Sequence, residues 1–372
     1  MKDNALKNKR LMLLFAAVAA MVIAMAGLAG CGGNSAPSSS AADSGSAAAD
    51  AAGDYADLEP VTLIAADSAS PGSAGNLWAE KFAERLEAIT GGQMKVDYHG
   101  AGELGGDVDV LTQAQANDVQ IFTCQPAPMV AFIPELATFD LPMVFATYDS
   151  DQIESVLNGD NEFTQGLQEA YGKAKMYNLG WLQDATYRQA TSNKELRTLE
   201  DFKGWQIRTM ENKNHMAFWE ALGAEPTPLA WAEVYIALQN GTVDGQENAT
   251  DTSVGNSLQE VQKYLDRTSH ILYSYNMSIS KECWDALDPK DQAAVEQAVA
   301  EARDEIRAKI SDLDKESTQK MVDAGMEVID YDDAFFEAVL SNEGVQALYK
   351  DISEQTGGLS DKLIAELEKT KK

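Results

Sequence analysis

Within Ile236–Thr250, "IALQNGTVDGQENAT", an apolar-spaced stretch stops at Gly241, and Asp244, Gln246, Glu247 and Asn248 then arrive together. Side chains of these types can make a solvated turn, a metal site, a pair of catalytic acids or the wall of a ligand pocket. Two further candidates are cations. Arg188 in "DATYRQATSN" and Arg208 in "DFKGWQIRTM" sit in short strand-like runs among apolar or small neighbours. A guanidinium is a planar fork of donors that meets a carboxylate through two parallel hydrogen bonds. At the end of a buried strand facing a cleft, such a residue would capture an organic acid; on the outer face of a strand it is an ordinary surface charge.

Other chemistries find little support. "GAGELG" (100–105) matches the glycine spacing of a dinucleotide-binding turn. However, Glu103, Asp107 and Asp109 put negative charge where a pyrophosphate would sit, and Gln125, not an acid, follows the next strand. "SISK" (278–281) has the spacing of a serine–lysine nucleophile but no companion "KTG". His99, His215 and His270 are scattered, without the paired spacing of a zinc site. Asp244 and Glu247 could act as an acid pair, but that chemistry needs a defined separation in space.

The elements that must position these residues alternate between strand and helix. "VTLIAAD" (61–67) reads as a buried strand. Trp78, Phe82, Leu86 and Ile89 keep helical spacing up to Gly91-Gly92. "QMKVDYH" (93–99) alternates apolar and polar residues as a half-buried strand does. A helix over Asp107–Ala116, a strand "VQIFTC" (119–124), strands "KMYNLGWL" (175–182) and "WQIRTM" (205–210), and helices near 213–222 and 231–240 follow. This is an α/β pattern, for which mostly parallel sheets are expected. From Pro289 to about Ala324 one helical pattern runs without an internal breaker, too long for a typical globular helix and able to cross two lobes.

The run "GWQIRTMENKNHMAFWEALGAEPTPLAWAEVYIALQNGTVDGQENAT", followed by "EVQKYLDRTSHILYSYNMSIS", resembles the DctP-type solute-binding proteins of tripartite ATP-independent periplasmic (TRAP) transporters. "FIPELATFDLPMVF" (132–145) and "AGELGGDVDVLTQAQ" (101–115) fit the same pattern, and the resemblance spans roughly 60 to 370. It implies a two-lobed periplasmic-binding-protein-like fold, each lobe a sheet flanked by helices, with the long C-terminal helix running across both. Lobe I would take 58–185 with about 274–313 returning to it, and lobe II 186–273 with about 314–372. By position, the resemblance assigns Arg208 to the ligand carboxylate, Arg188 to an assisting role, Asn248 to ligand contact and Trp231 to the pocket wall. It places Asp107 and Gln125 beside the site. Thr209 and Ala249 depart from the family's usual valine and proline, and the neutral amide of Gln125 weakens a sialic acid assignment. The opening cluster then becomes a pocket wall, with Gly241 capping a helix, Gly245 allowing a tight bend, and Asp244 and Glu247 structural.

The implied activity is capture of a small organic carboxylate and its delivery to a membrane permease pair driven by an ion gradient, with no reaction and no cofactor. An extracytoplasmic sensory binding protein, or an enzyme acting on a carboxylated substrate, are the competing readings. The N-terminus agrees with export. Lys2, Lys7, Lys9 and Arg10 precede an uncharged run from Leu11 to Gly30, and Leu28-Ala29-Gly30-Cys31 looks like a bacterial lipobox with Cys31 as the lipidated residue. Residues 1–30 then form a signal peptide and 31–57 a flexible Ala/Ser/Gly tether, since that composition cannot bury enough surface to offset ordering entropy. The net charge of −30 argues against nucleic acid as a partner, and it would repel an anionic ligand at long range, so specific arginines must offset that field locally. Beyond Cys31 only Cys124 and Cys283 occur, too few for a disulfide framework. A monomer on the outer face of the cell membrane is expected.

Overall fold

The computed structural model describes Tyr55 and residues 59–371; the expected signal peptide (1–30), the expected lipidation site Cys31 and most of the expected tether (31–57) lie outside the described residues. Two mixed sheets form the framework. The first has five strands in the order β2 (Met94–His99), β1 (Val61–Ala66), β3 (Ile121–Cys124), β10 (Tyr275–Ser280) and β4 (Met176–Leu182). The second has six, in the order β11 (Glu327–Ile329), β9 (Tyr264–Leu272), β5 (Tyr187–Ser192), β8 (Gly245–Asn248), β6 (Gln206–Thr209) and β7 (Glu225–Pro228).

The strand–helix alternation suggests mostly parallel sheets, but both are mixed: two of four strand pairs are antiparallel in the first and two of five in the second. β1 is parallel to β2 and β3, but β10 enters antiparallel to both β3 and β4. In the second sheet β5 is antiparallel to β8 and β9, while β6 is parallel to β7 and β8. The cause is the exchange of chain between sheets. β4 leads to β5, and β9 to β10, through short connections, so β10 returns to the first sheet in reverse direction.

Local signals set the helices. α1 (Ala74–Ile89) buries Trp78, Phe82 and Leu86, one residue per turn, against the first sheet and ends before Gly91 and Gly92, both at positive φ. α2 (Asp107–Gln115) precedes β3; α3 (Ser150–Leu157) and α4 (Glu162–Lys173) precede β4. α5 (Lys213–Ala221), α6 (Val234–Gln239) and α7 (Thr250–Gly255) belong to the second sheet's stretch of chain. α8 (Pro289–Asp323) is the long helix. Asp288 caps it by accepting from the Lys290 amide, and proline takes its first position, where a missing N–H costs nothing. Ala294, Ala298 and Ala302 are fully buried, so α8 approaches α1 closely enough for Trp78 to donate to the Val299 carbonyl at 3.3 Å. Further along, Thr250 of α7 donates to Asp314 at 2.7 Å, and Met321 packs with Leu265 and Met326. The helix thus touches the elements of both sheets.

The C-terminal segments do not all return to lobe II as expected. β11 pairs with β9, but α9 (Leu359–Thr370) lies on α3 and α4. Its leucines at 359, 363 and 367 form one buried stripe, and Tyr148 donates to Glu368 at 2.6 Å. Cys124 and Cys283 are both free thiols. Among the described residues no helix is long and apolar enough to cross a membrane.

Candidate functional site

The chain delivers polar side chains to one place because several strands end there. Arg208 stands near the end of β6 and Asn248 at the end of β8; Gln125 follows β3, Ser68 follows β1, and Tyr275 opens antiparallel β10. This is the crevice beyond the carboxyl ends of strands where α/β folds bind ligands. A cavity lies there, walled by Arg208, Asn248 and Trp231 from one sheet's elements and by Asp107, Gln125 and Tyr275 from the other's. It adjoins a larger one of about 690 Å³ that is also lined by Arg208, Asp107 and Trp231, a volume within the range that holds small molecules.

Arg208 is only 2% exposed. Its Nε and Nη2 both donate to the Leu229 carbonyl, at 2.9 and 2.6 Å. Nη1 is buried and has no partner among the described residues. The guanidinium lies 5.4 Å from the centre of the Trp231 ring, a cation–π distance. Burial pulls the Arg208 pKa down to about 10, against the pull of the Glu247 carboxylate, so the side chain is still cationic at neutral pH. Trp231 also donates its indole N–H to Ser70 Oγ at 3.0 Å, a bond between the two sheets' elements at the mouth of the cavity.

Arg188 does not line this cavity; it lies one layer behind. Its Nε and Nη2 bond the Glu247 carboxylate at 2.6 and 2.9 Å, and Nη2 also reaches the Glu247 carbonyl at 2.7 Å. Nη1 donates to Asn248 Oδ1 at 2.8 Å and to Gln125 Oε1. Two of the cavity's own amides are thereby held in one orientation, with Asn248 Nδ2 directed away from Arg188. Register makes this possible, because β5 runs beside β8 with Ala190 opposite Glu247 and Gln189 opposite Asn248. Gly245 serves close approach more than a tight bend. A Cβ there would meet the Trp205 ring and the Thr191 carbonyl oxygen, both at 2.4 Å. Gly241, at φ 69°, does take the left-handed position just past α6.

The family model of the bacterial extracellular solute-binding proteins, family 7 (DctP), matches residues 65–356. The chain belongs to this family. It is 30% identical to the sialic acid-binding periplasmic protein SiaP of Vibrio cholerae over 295 residues, 78% of this chain and 84% of SiaP. It is 29% identical to the C4-dicarboxylate-binding periplasmic protein DctP of Rhodobacter capsulatus, over 72% of this chain and 79% of that one. Among solved structures, the ectoine-binding protein of the TeaABC TRAP transporter of Halomonas elongata superposes with a TM-score of 0.78 at 26% identity, covering 83% of this chain and all of the other. A TRAP solute-binding protein from Sulfitobacter with bound β-D-galacturonate gives 0.74 at 26% identity and the same coverage. At family level these are receptors for solutes, and an enzymatic role has no counterpart among them.

Behind the pocket of this DctP-family chain, residues that look unrelated in sequence converge. His270 Nε2 lies 3.0 Å from Glu247 Oε2, with its other ring nitrogen 2.9 Å from Thr268 Oγ1. His215 Nε2 lies 3.1 Å from Asp140 Oδ1, and its Nδ1 is 3.7 Å from Glu247. Asp140 also accepts from Asn212 and Asn214, both at 2.9 Å. Burial alone would raise the Glu247 carboxyl, but Arg188 and the two imidazoles hold it well below its ordinary value. Burial likewise opposes charge on His215, yet Asp140 and Glu247 raise it to about 9. His270, with no carboxylate of its own, is driven down by burial. Glu247 is therefore an ion-paired anchor, not a base awaiting a proton. Sequence reasoning also passed over Ser68, Ser70 and Thr123 at the cavity. The two serines lie in "SASPGS", a stretch whose composition announces only a turn.

Proposed function

We propose that this protein captures a small organic carboxylate between its two lobes and passes it to a TRAP permease in the membrane. The observation that carries the reading is the buried Arg208, which has one guanidinium nitrogen, Nη1, without a partner among the described residues and which lines a cavity of about 690 Å³. A buried cation with an unused donor is costly to keep unless an anion arrives to meet it. A ligand that bridges Arg208 on one side and the Asp107–Gln125 wall on the other binds the closed arrangement better than an open one, and shifts the population towards closure. Trp231, stacked beside the guanidinium and bonded to Ser70, supplies a face for the ligand and a latch for the mouth. The sialic acid, C4-dicarboxylate and galacturonate of the relatives' names are all organic acids, which supports the class. Lipidation at Cys31, a flexible tether over 31–57 and a monomeric receptor complete the proposal.

Thermal unfolding of the protein with and without a panel of organic acids tests it, on wild type and on Arg208→Ala. An acid at 100 times its Kd adds about 2.7 kcal/mol of stability. A shift for one acid class that disappears in Arg208→Ala supports the proposal, and a shift that survives the substitution refutes the role of Arg208.

A further inference from the structure

The cavity adjoining the Arg208 pocket shares Ser68, Ser70, Asp107, Arg208 and Trp231 with it, so the two form one continuous space. Among the described residues lining these two cavities, Arg208 is the single cation, whereas Asp107, Asp109 and Glu211 are carboxylates; a smaller cavity behind them, sharing Gln125 and Met210, is lined by Arg188 and by His215, which is paired with Asp140. Arg188, the nearest candidate for a second cation, has both edges of its fork committed to Glu247, Asn248 and Gln125. A ligand with one carboxylate finds its counter-charge. A second carboxylate would find none and would lie beside acids of its own sign.

The remaining walls ask for hydroxyl groups. Asp107 accepts from the Ser68 hydroxyl and keeps acceptor capacity, since a carboxylate has about four lone-pair sites. Asn248 Nδ2 donates to nothing among the described residues, because Arg188 holds the oxygen of that amide. Tyr275 accepts from Gln125 Nε2 at 3.3 Å, which leaves its own proton to give. An alkyl tail would leave these groups unpaired, whereas a hydroxyl can donate to the carboxylate and accept from the amide. A site built to bond substrate hydroxyls discriminates strongly against analogues that lack them.

We propose that the ligand is a polyhydroxylated monocarboxylate, with Arg208 taking its carboxylate and Asp107 accepting from its hydroxyls and turning away a second carboxylate. This rests on the carboxylate reading above and narrows it. Isothermal titration of the protein, stripped of bound solute, tests the narrowing with matched pairs: D-gluconate against D-glucarate, D-galactonate against D-galactarate, and hexanoate as the acid without hydroxyls. Within each pair the sole change is a terminal alcohol oxidised to a second carboxylate. The expected result is that at least one aldonate binds roughly tenfold or more tightly than its aldarate and than hexanoate. In Asp107→Asn and Asp107→Ser, with folding checked by circular dichroism, the aldonate-to-aldarate ratio falls to within about threefold. The proposal is overturned if an aldarate matches or beats its aldonate, if hexanoate binds equally well, if no aldonate binds, or if the ratio is unmoved in both variants. Arg208→Ala on a panel enlarged with succinate separates the two readings. Any acid that binds wild type and is lost in that variant preserves carboxylate capture even where the hydroxyl preference fails.

Discussion

Arg188 and Arg208 stand on strands of the same sheet, separated only by β8, and both are almost wholly buried, at 1% and 2% exposure. Their surroundings differ. Arg188 spends its donors on Glu247, Asn248 and Gln125, and its charge is cancelled within the protein. Arg208 gives two donors to one carbonyl and keeps Nη1 in reserve. Residue type and burial are therefore poor guides to role. What separates a structural arginine from a receptive one is the account of its donors, atom by atom.

The sharpest way to break the comparison is to truncate each arginine in turn. Arg188→Ala leaves Glu247 buried without its cation, and unfolding by denaturant should show a loss of about 3–5 kcal/mol. Arg208→Ala should change the ligand-free protein by no more than about 1 kcal/mol, since the lost bonds to Leu229 are offset by removing a desolvated charge. It should instead weaken ligand by roughly two to three decades, measured by titration calorimetry. If the two variants behave alike in both assays, the distinction between the arginines is wrong.

A second test uses pH on the network behind Arg188. His215 is raised from an ordinary value near 6.5 to about 9, so its contribution is fully present below pH 6.5 and is lost as pH climbs through 9. Denaturant midpoints taken between pH 6.5 and pH 10 should decline by an amount equivalent to about 3 kcal/mol, and His215→Gln should flatten that limb. The acid limb has other causes. His270 is depressed, so below about pH 6.5 the unfolded chain takes a proton that the folded one refuses, and stability falls. Glu247, held far below its ordinary value, adds a further loss as pH drops under about 4.3.

The smallest effects belong to the mouth. Trp231→Ala removes both the ring beside Arg208 and the bond to Ser70, and should cost about 1–2 kcal/mol of ligand affinity. Trp231→Phe keeps a ring and loses only the N–H, for about 0.5–1.5 kcal/mol. Equal losses in the two variants would mean that the bond, not the ring, carries the contribution.

Much of the framework was legible in local pattern. Trp78, Phe82 and Leu86 announced α1, and the unbroken run after Pro289 announced α8 to within a residue of its end at Asp323. The direction of β10 was not legible, because it depends on which sheet the chain has just left, and nothing in "YNMSIS" encodes that. Five of the six residues singled out as ligand contacts, Arg208, Asn248, Trp231, Gln125 and Asp107, line one cavity. The position of Arg188 behind it was hidden, since its partner Glu247 lies 59 residues away and shows itself only through register. The same holds for His215 and His270. Their spacing carries no motif, yet one ring from α5 and one from β9 come within 3.7 and 3.0 Å of the same carboxylate, that of Glu247 on β8.

The long helix α8 has a mechanical consequence. It touches the elements of both sheets and holds neither glycine nor an internal proline over Pro289–Asp323. At about 1.5 Å of rise per residue it is a rod of roughly 50 Å. A receptor that opens and closes must therefore flex this rod or slide along it, since no hinge is built into it. If capture closes the two halves as proposed, such a rod would act as a leaf spring coupled to them, and the dwell time of a solute would depend in part on the bending stiffness of a segment that lines neither cavity.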